Sequence, residues 1–63
     1  MKDTIQVRDG GLYLGEWFND KTDGRGFRLY PNKILYEGYF KNDMKHGRGR
    51  LVYDNGEVYE GEF

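Results

Sequence analysis

Apolar and small or polar residues alternate along several short stretches of the chain. One such stretch returns at a fixed interval, as Tyr13-Leu14-Gly15-Glu16-Trp17, Tyr36-Glu37-Gly38-Tyr39-Phe40 and Tyr59-Glu60-Gly61-Glu62-Phe63, each beginning 23 residues after the last. Period-two alternation is the signature of a strand with two unlike faces. A fixed period of about 20–50 residues marks a repeat architecture, in which each unit buries its apolar surface against its neighbours. Superposing 13–35 on 36–58 gives nine identities: Tyr13/Tyr36, Gly15/Gly38, Asn19/Asn42, Asp20/Asp43, Gly24/Gly47, Arg25/Arg48, Gly26/Gly49, Tyr30/Tyr53 and Asn32/Asn55. Val7, Asp9 and Gly10 match the tail of an earlier copy. The chain therefore reads as one domain of partial repeat 1–12, repeats 13–35 and 36–58, and partial repeat 59–63.

Turn chemistry sets the register. Arg8-Asp9-Gly10, Pro31-Asn32-Lys33 and Asp54-Asn55-Gly56 occupy equivalent positions. Proline cannot take the positive φ that a type I′ turn needs there, so the pattern predicts a three-residue hairpin loop, a type I turn closed by a left-handed residue. Glycine suits that last site, whereas Lys33 carries strain in it. These loops pair Tyr30 with Ile34, Gly26 with Gly38, Tyr53 with Val58 and Gly49 with Gly61. The other connections, Asn19 to Thr22 and Asn42 to Lys45, read as polar loops that let Trp17 face Gly24 and Phe40 face Gly47. The outcome is an all-β fold: a single elongated, twisted antiparallel meander of about six strands. These run over Lys2 to Arg8, Leu12 to Phe18, Gly24 to Tyr30, Ile34 to Phe40, Gly47 to Tyr53 and Glu57 to Phe63.

Side chains alternate across each strand, so the register assigns faces. One face carries the row Gly15-Gly26-Gly38-Gly49-Gly61, flanked by Trp17-Gly24-Phe40-Gly47-Phe63 and by Ile5-Tyr13-Arg28-Tyr36-Leu51-Tyr59. Rings can lie flat over glycines, which have no Cβ. The other face carries Gln6, Leu12, Leu29, Leu35, Val52 and Val58. Beyond them lie facing charges: Lys2 with Glu16, Glu16 with Arg25, Glu37 with Arg50, Arg50 with Glu60, and Arg48 with Glu62. Opposite charges across strands contribute roughly 0.2–1 kcal/mol each.

Composition narrows the chemistry. Ten Lys plus Arg against eleven Asp plus Glu leave a net charge of −1, without the basic field that nucleic-acid binding uses. No apolar run has the length of a membrane span or a signal peptide. The absence of cysteine removes disulfides, thiolate nucleophiles and thiolate metal ligands, and fits a reducing, cytoplasmic setting. Aromatics at 17% and 10 glycines favour a packed β structure over disorder. His46 is the single histidine, beside Gly47, and reads as a turn residue. There is no serine, and neither Thr4 nor Thr22 has a histidine predicted nearby. No catalytic residue, metal site or cofactor is expected. Gly24-Arg25-Gly26 and Gly47-Arg48-Gly49 are not phosphate loops, because no helix follows them. Close aromatic packing accounts for their glycines.

Two surfaces remain as candidates for binding. Trp17, Tyr36, Phe40, Tyr59 and Phe63 are large rings of the kind that anchor protein interfaces, and also the natural core of a sheet without helices. Arg25, Lys45, Arg48 and Arg50 are candidates for an anionic lipid, set against Glu16, Glu37, Glu60 and Glu62, which neutralise the arginine face. The outer strands leave unpaired backbone groups, which favours pairing with a partner or with another copy.

The succession Tyr-Glu-Gly-x-Phe, polar loop, His-Gly-x-Gly and Asp-Asn-Gly resembles the MORN repeat (membrane occupation and recognition nexus). Residues 36–63 carry the pattern closely. Residues 13–35 carry it with two departures, Asp23 where the family often has His and Lys33 where it has Gly. The resemblance implies an elongated sheet of stacked hairpins. It also implies use in binding and scaffolding, as in junctophilins, phosphatidylinositol phosphate kinases, radial-spoke proteins and parasite cytoskeletal scaffolds, with catalysis in other domains. The implied function is a non-catalytic protein-interaction module, self-associating through sheet edges, in the cytoplasm and in association with cytoskeleton or membrane. The alternative is a module that binds phosphoinositide or phosphatidate.

Overall fold

The computed structural model of the chain describes residues 5–6 and 10–63, with extents of 33 × 24 × 18 Å. Six strands follow one another without a crossover: β1 (Ile5–Gln6), β2 (Leu12–Phe18), β3 (Lys21–Leu29), β4 (Leu35–Lys41), β5 (Met44–Val52) and β6 (Val58–Glu62). All neighbours are antiparallel. The fold is the all-β meander that the alternation predicts. Of the strand expected over Lys2 to Arg8, only Ile5–Gln6 is described. The facing of Lys2 with Glu16 and the repeat match at Val7 and Asp9 lie outside the described residues.

The glycine row forms as predicted, with Gly15 opposite Gly26, Gly26 opposite Gly38, Gly38 opposite Gly49 and Gly49 opposite Gly61. Its purpose is visible in the rings above it. A Cβ on Gly26 would lie 2.5 Å from the Tyr13 phenol oxygen. One on Gly38 would meet Gly49 Cα at 2.6 Å, the Arg48 carbonyl at 2.7 Å and the Tyr36 phenol at 2.8 Å. Tyr13 and Tyr36 are fully buried as a result, and Phe40 nearly so. A single sheet thus makes a core by lying its own rings across its glycines.

The three-residue loops at Pro31-Asn32-Lys33 and Asp54-Asn55-Gly56 also form, while Arg8 and Asp9 of the one expected at Arg8-Asp9-Gly10 lie outside the described residues. Tyr30 and Tyr53 donate their N–H groups to the carbonyls of Ile34 (2.9 Å) and Glu57 (2.8 Å), and the third loop residues are left-handed, Lys33 at φ 69° and Gly56 at φ 92°. Both loops close on the residue four positions on. Tyr53 therefore pairs with Glu57 rather than with Val58, which stands opposite Val52.

The other connections correct the sequence reading. Asn19-Asp20 and Asn42-Asp43 all have positive φ, between 52° and 68°, as a two-residue type I′ turn requires. Asn and Asp tolerate this region better than other residues with a Cβ. β3 and β5 consequently begin at Lys21 and Met44, where loops were expected, and Asp23 and His46 lie in strands. Trp17 faces Thr22, not Gly24, and Phe40 faces Lys45 on β5, not Gly47. The tighter turn leaves surplus residues: Glu16 alone spans Asp23, Gly24 and Arg25, and Tyr39 alone spans His46, Gly47 and Arg48. Gly24 (φ 94°) and Gly47 (φ 72°) absorb this bulge. Their role is conformational, unlike that of Gly26 and Gly49, which carry rings.

The packing generates two predictions. Gly38→Val places a branched Cβ against backbone that cannot give way, and overpacking of this kind costs about 1–3 kcal/mol or more; thermal melting is expected to move down by many degrees or lose cooperativity. Lys33→Gly relieves a left-handed side chain worth about 1 kcal/mol, and for a domain of this size that raises the melting temperature by roughly 4–8 °C; an unchanged or lower midpoint in calorimetry would contradict the loop assignment.

Candidate functional site

The ring face is a ladder. Trp17, Tyr13, Phe40, Tyr36, Phe63 and Tyr59 follow one another edge to face, with centroid separations of 5.0 to 5.3 Å and interplanar angles of 77° to 89°. Tyr13 and Tyr36 each pack on the aromatic residue four positions later and on that of the next copy, and Tyr59 packs on Phe63. Such pairs contribute about 0.5–1.5 kcal/mol each beyond their buried area. The phenols have a second duty. Tyr13 donates to the Glu16 carbonyl (2.7 Å), Tyr36 to that of Tyr39 (2.8 Å) and Tyr59 to that of Glu62 (3.2 Å). Glu16 and Tyr39 sit at the bulges, where the ladder of backbone hydrogen bonds is interrupted and a carbonyl needs another donor.

The repeats are also joined at the turns. The Asp43 carboxylate accepts from the Thr22 N–H (2.7 Å), the Asp43 N–H donates to the Thr22 carbonyl (3.1 Å), and the Asn42 N–H donates to Asp23 (3.5 Å). The second turn is thereby docked on the strand of the first repeat. Thr22 is buried there, and its Oγ1 and the neighbouring Trp17 Nε1 have no hydrogen-bond partner among the described residues. Sequence reasoning passed over Thr22, because the loop expected at that place hid its position opposite Trp17.

This geometry sorts the five aromatic candidates. Tyr36 and Phe40 are core residues, sealed from any partner. Trp17 is half-buried at one end of the ladder. Tyr59 and Phe63, at the other end, are 46% and 37% exposed, and only these two of the five present large open ring surface.

The basic candidates divide between the faces. Lys45 lies on the ring face, its ammonium 4.6 Å from the Tyr30 ring centroid and 5.6 Å from that of Tyr36. Arg25, Arg48 and Arg50 border one shallow depression on the opposite face together with Glu37 and Glu60. Arg25 stands 5.5 Å from the Tyr39 ring, Arg50 lies between Glu37 and Glu60, and Arg48 lies opposite Glu62. The Glu16 carboxylate accepts from the Arg25 backbone N–H (2.8 Å) and so caps the first bulge. Among the described residues no cluster of three His, Asp or Glu side chains converges as a metal site.

A wider groove opens on the same face, opposite the aromatic ladder, over the first repeat. Leu14, Phe18 and Phe27 form its apolar wall, with Glu16, Arg25 and Glu37 around them. Phe18 and Phe27 are 64% and 44% exposed. No sequence argument singled out this groove, although the apolar row beside it, Leu12 and Leu29, was expected on that face.

Compared with known families, residues 13–33 and 36–58 each match the family model described as MORN repeat, which together is more than half of the chain. No curated protein matches it.

Burial of the tyrosines has a consequence for pH. Removal from water holds the Tyr13 phenol above its ordinary pKa near 10, with the Glu16 charge adding to the rise, and burial does the same for Tyr36. A raised pKa means that the folded state prefers the neutral phenol. The contribution to stability is complete below pH about 10 and is lost as pH rises through the folded-state values. Alkaline titration should therefore show the last part of the 295 nm phenolate absorbance appearing together with loss of near-UV circular dichroism. Full ionisation with the folded spectrum intact would contradict it.

Proposed function

As the chain belongs to the MORN repeat family, whose members are in general interaction modules, we propose that it acts as a non-catalytic protein-interaction and scaffold module that extends its sheet at β6 with a strand from a second copy. The supporting observation is the open end of the aromatic ladder. Tyr13 stands between Trp17 and Phe40, and Tyr36 between Phe40 and Phe63, whereas Tyr59 has Phe63 as its one ring neighbour among the described residues. Two tyrosines with two ring neighbours are fully buried; the third is half exposed.

The other end of the sheet has the matching form. Ile5 and Gln6 pair with Tyr13 and Leu12 just as Arg28 and Leu29 pair with Tyr36 and Leu35, and as Leu51 and Val52 pair with Tyr59 and Val58. β1 is therefore a strand of the type that lies beside the Tyr-x-Gly-x-aromatic strands. A second copy's β1 has the register that the outer side of β6 accepts. Such a contact joins unlike surfaces and propagates head to tail. Main-chain hydrogen bonds along the edge supply affinity.

The anionic-lipid reading has less support. Lys45 is turned to the ring face, and the three arginines of the other face share their depression with glutamates.

The Glu57 carbonyl accepts from Tyr53 and the Phe63 N–H donates to the Gly47 carbonyl, so by alternation the odd residues of β6 turn their backbone groups toward β5 and the N–H of Glu60 points outward. Glu60→Pro therefore blocks the edge while sparing the ladder to β5, since proline is tolerated where the missing N–H faces solvent. Sedimentation equilibrium is expected to give a mass that rises with concentration for the parent chain and for Glu60→Ala, and a constant monomer mass for Glu60→Pro. A parent chain that stays monomeric up to millimolar concentration would overturn self-association.

A further inference from the structure

The groove over the first repeat holds information that the fold does not require. Leu14, Phe18 and Phe27 correspond, 23 residues on, to Glu37, Lys41 and Arg50. The two sets occupy the same register: Leu14 faces Phe27, and Glu37 faces Arg50. The second repeat thus builds the same hairpin with charged side chains at these places. It serves as a control within the chain, and it removes folding as the reason for the apolar residues of the first.

Those residues are also gathered. Leu12 and Leu29 stand beside them at 41% and 40% exposure, so the first repeat presents a continuous apolar surface. Scattered exposed apolar residues are ordinary, but contiguous ones mark interaction sites.

The size of the surface indicates its occupant. A stable dimer buries about 800 Å² per partner, roughly the whole face of a sheet with extents of 33 × 24 Å, whereas the groove spans one repeat. A short segment fits it; a second copy does not. Its charge narrows the choice further. Glu37 on its rim faces Arg50, and the remaining charged lining residues are the carboxylates of Glu16 and Asp23 against the one guanidinium of Arg25, which is already drawn toward Tyr39. We infer that the groove of Leu14, Phe18 and Phe27 is a docking site for a short peptide segment with Leu or Phe anchors flanked by Lys or Arg. The inference rests on the chain being a protein-interaction module, but not on the β6 edge.

The test uses two short synthetic peptides that alternate Leu and Phe with Lys in one and with Glu in the other. Each is titrated into the isotopically labelled 63-residue chain and followed by NMR. The lysine peptide should shift the amides of 14–16, 25–27 and Glu37 saturably, and its glutamate twin should bind about tenfold more weakly or less, because complementary charge suppresses the wrong partner. The double variant Leu14→Glu/Phe27→Arg copies the second repeat, so it should melt like the parent and lose the binding. Glu60→Pro should bind the peptide as the parent does, which separates the groove from the edge. Equal binding of both peptides, no saturable shifts, or binding retained by the double variant would overturn the assignment. A collapse of the double variant's melting transition would also overturn it, by making the residues structural. So would concentration-dependent shifts of these amides without peptide, which would make the occupant a second copy.

Discussion

The structure depends on a tyrosine laid across glycines so that its hydroxyl reaches a carbonyl at a bulge. Tyr13 crosses Gly15 and Gly26 to the Glu16 carbonyl, and Tyr36 crosses Gly38 and Gly49 to that of Tyr39. Three constraints meet in this one contact. The ring needs glycine on its own strand and on the next, the glycines need to be in register, and the carbonyl is in want of a donor because the tight turn forces a bulge. Without the ring, a single sheet has nothing with which to exclude water from that face. Without the bulge, the hydroxyl would be buried beside a backbone already paired.

The repeats are then coupled in one dimension. Tyr13 and Tyr36 reach forward to the next copy's aromatic residue, and the Asn42-Asp43 turn reaches back to Thr22 and Asp23. Interactions between neighbours of this kind make burial a property of position along the array. Tyr13 and Tyr36, with neighbours on both sides, are sealed, and Tyr59 is not. The internal packing leaves the Tyr59 ring and the side chains of the face opposite the ladder exposed. The aromatic ladder does not rest on that face, and its two repeats carry different chemistry at equivalent sites.

Much of this was legible in the residues. The period, the three-residue loops and the glycine row follow from spacing alone, because a strand alternates with period two and a loop with proline at its first position excludes the tighter turn. The turn Asn19-Asp20 was not legible, since Asn-Asp without glycine is a weak signal for two successive positive φ values, and a short polar loop accounts equally well for the same letters. That error displaced Thr22 and Lys45 by two places. Lys45, expected in a loop, stands on β5 opposite Phe40 and caps the rings of Tyr30 and Tyr36, apart from the arginines. The five aromatic candidates were similarly undivided, because a ring's letter is the same in a core and at an open end.

The sequence by itself determined the fold class, the glycine row and the division of strand residues between faces, because these depend on local geometry repeated every 23 residues. Tertiary structure alone decided where the register shifts, which rings are sealed and which remain open, and that Leu14, Phe18 and Phe27 line one groove. Those outcomes depend on how strands and turns distant along the chain meet, and on the bulges at Gly24 and Gly47 that absorb the mismatch.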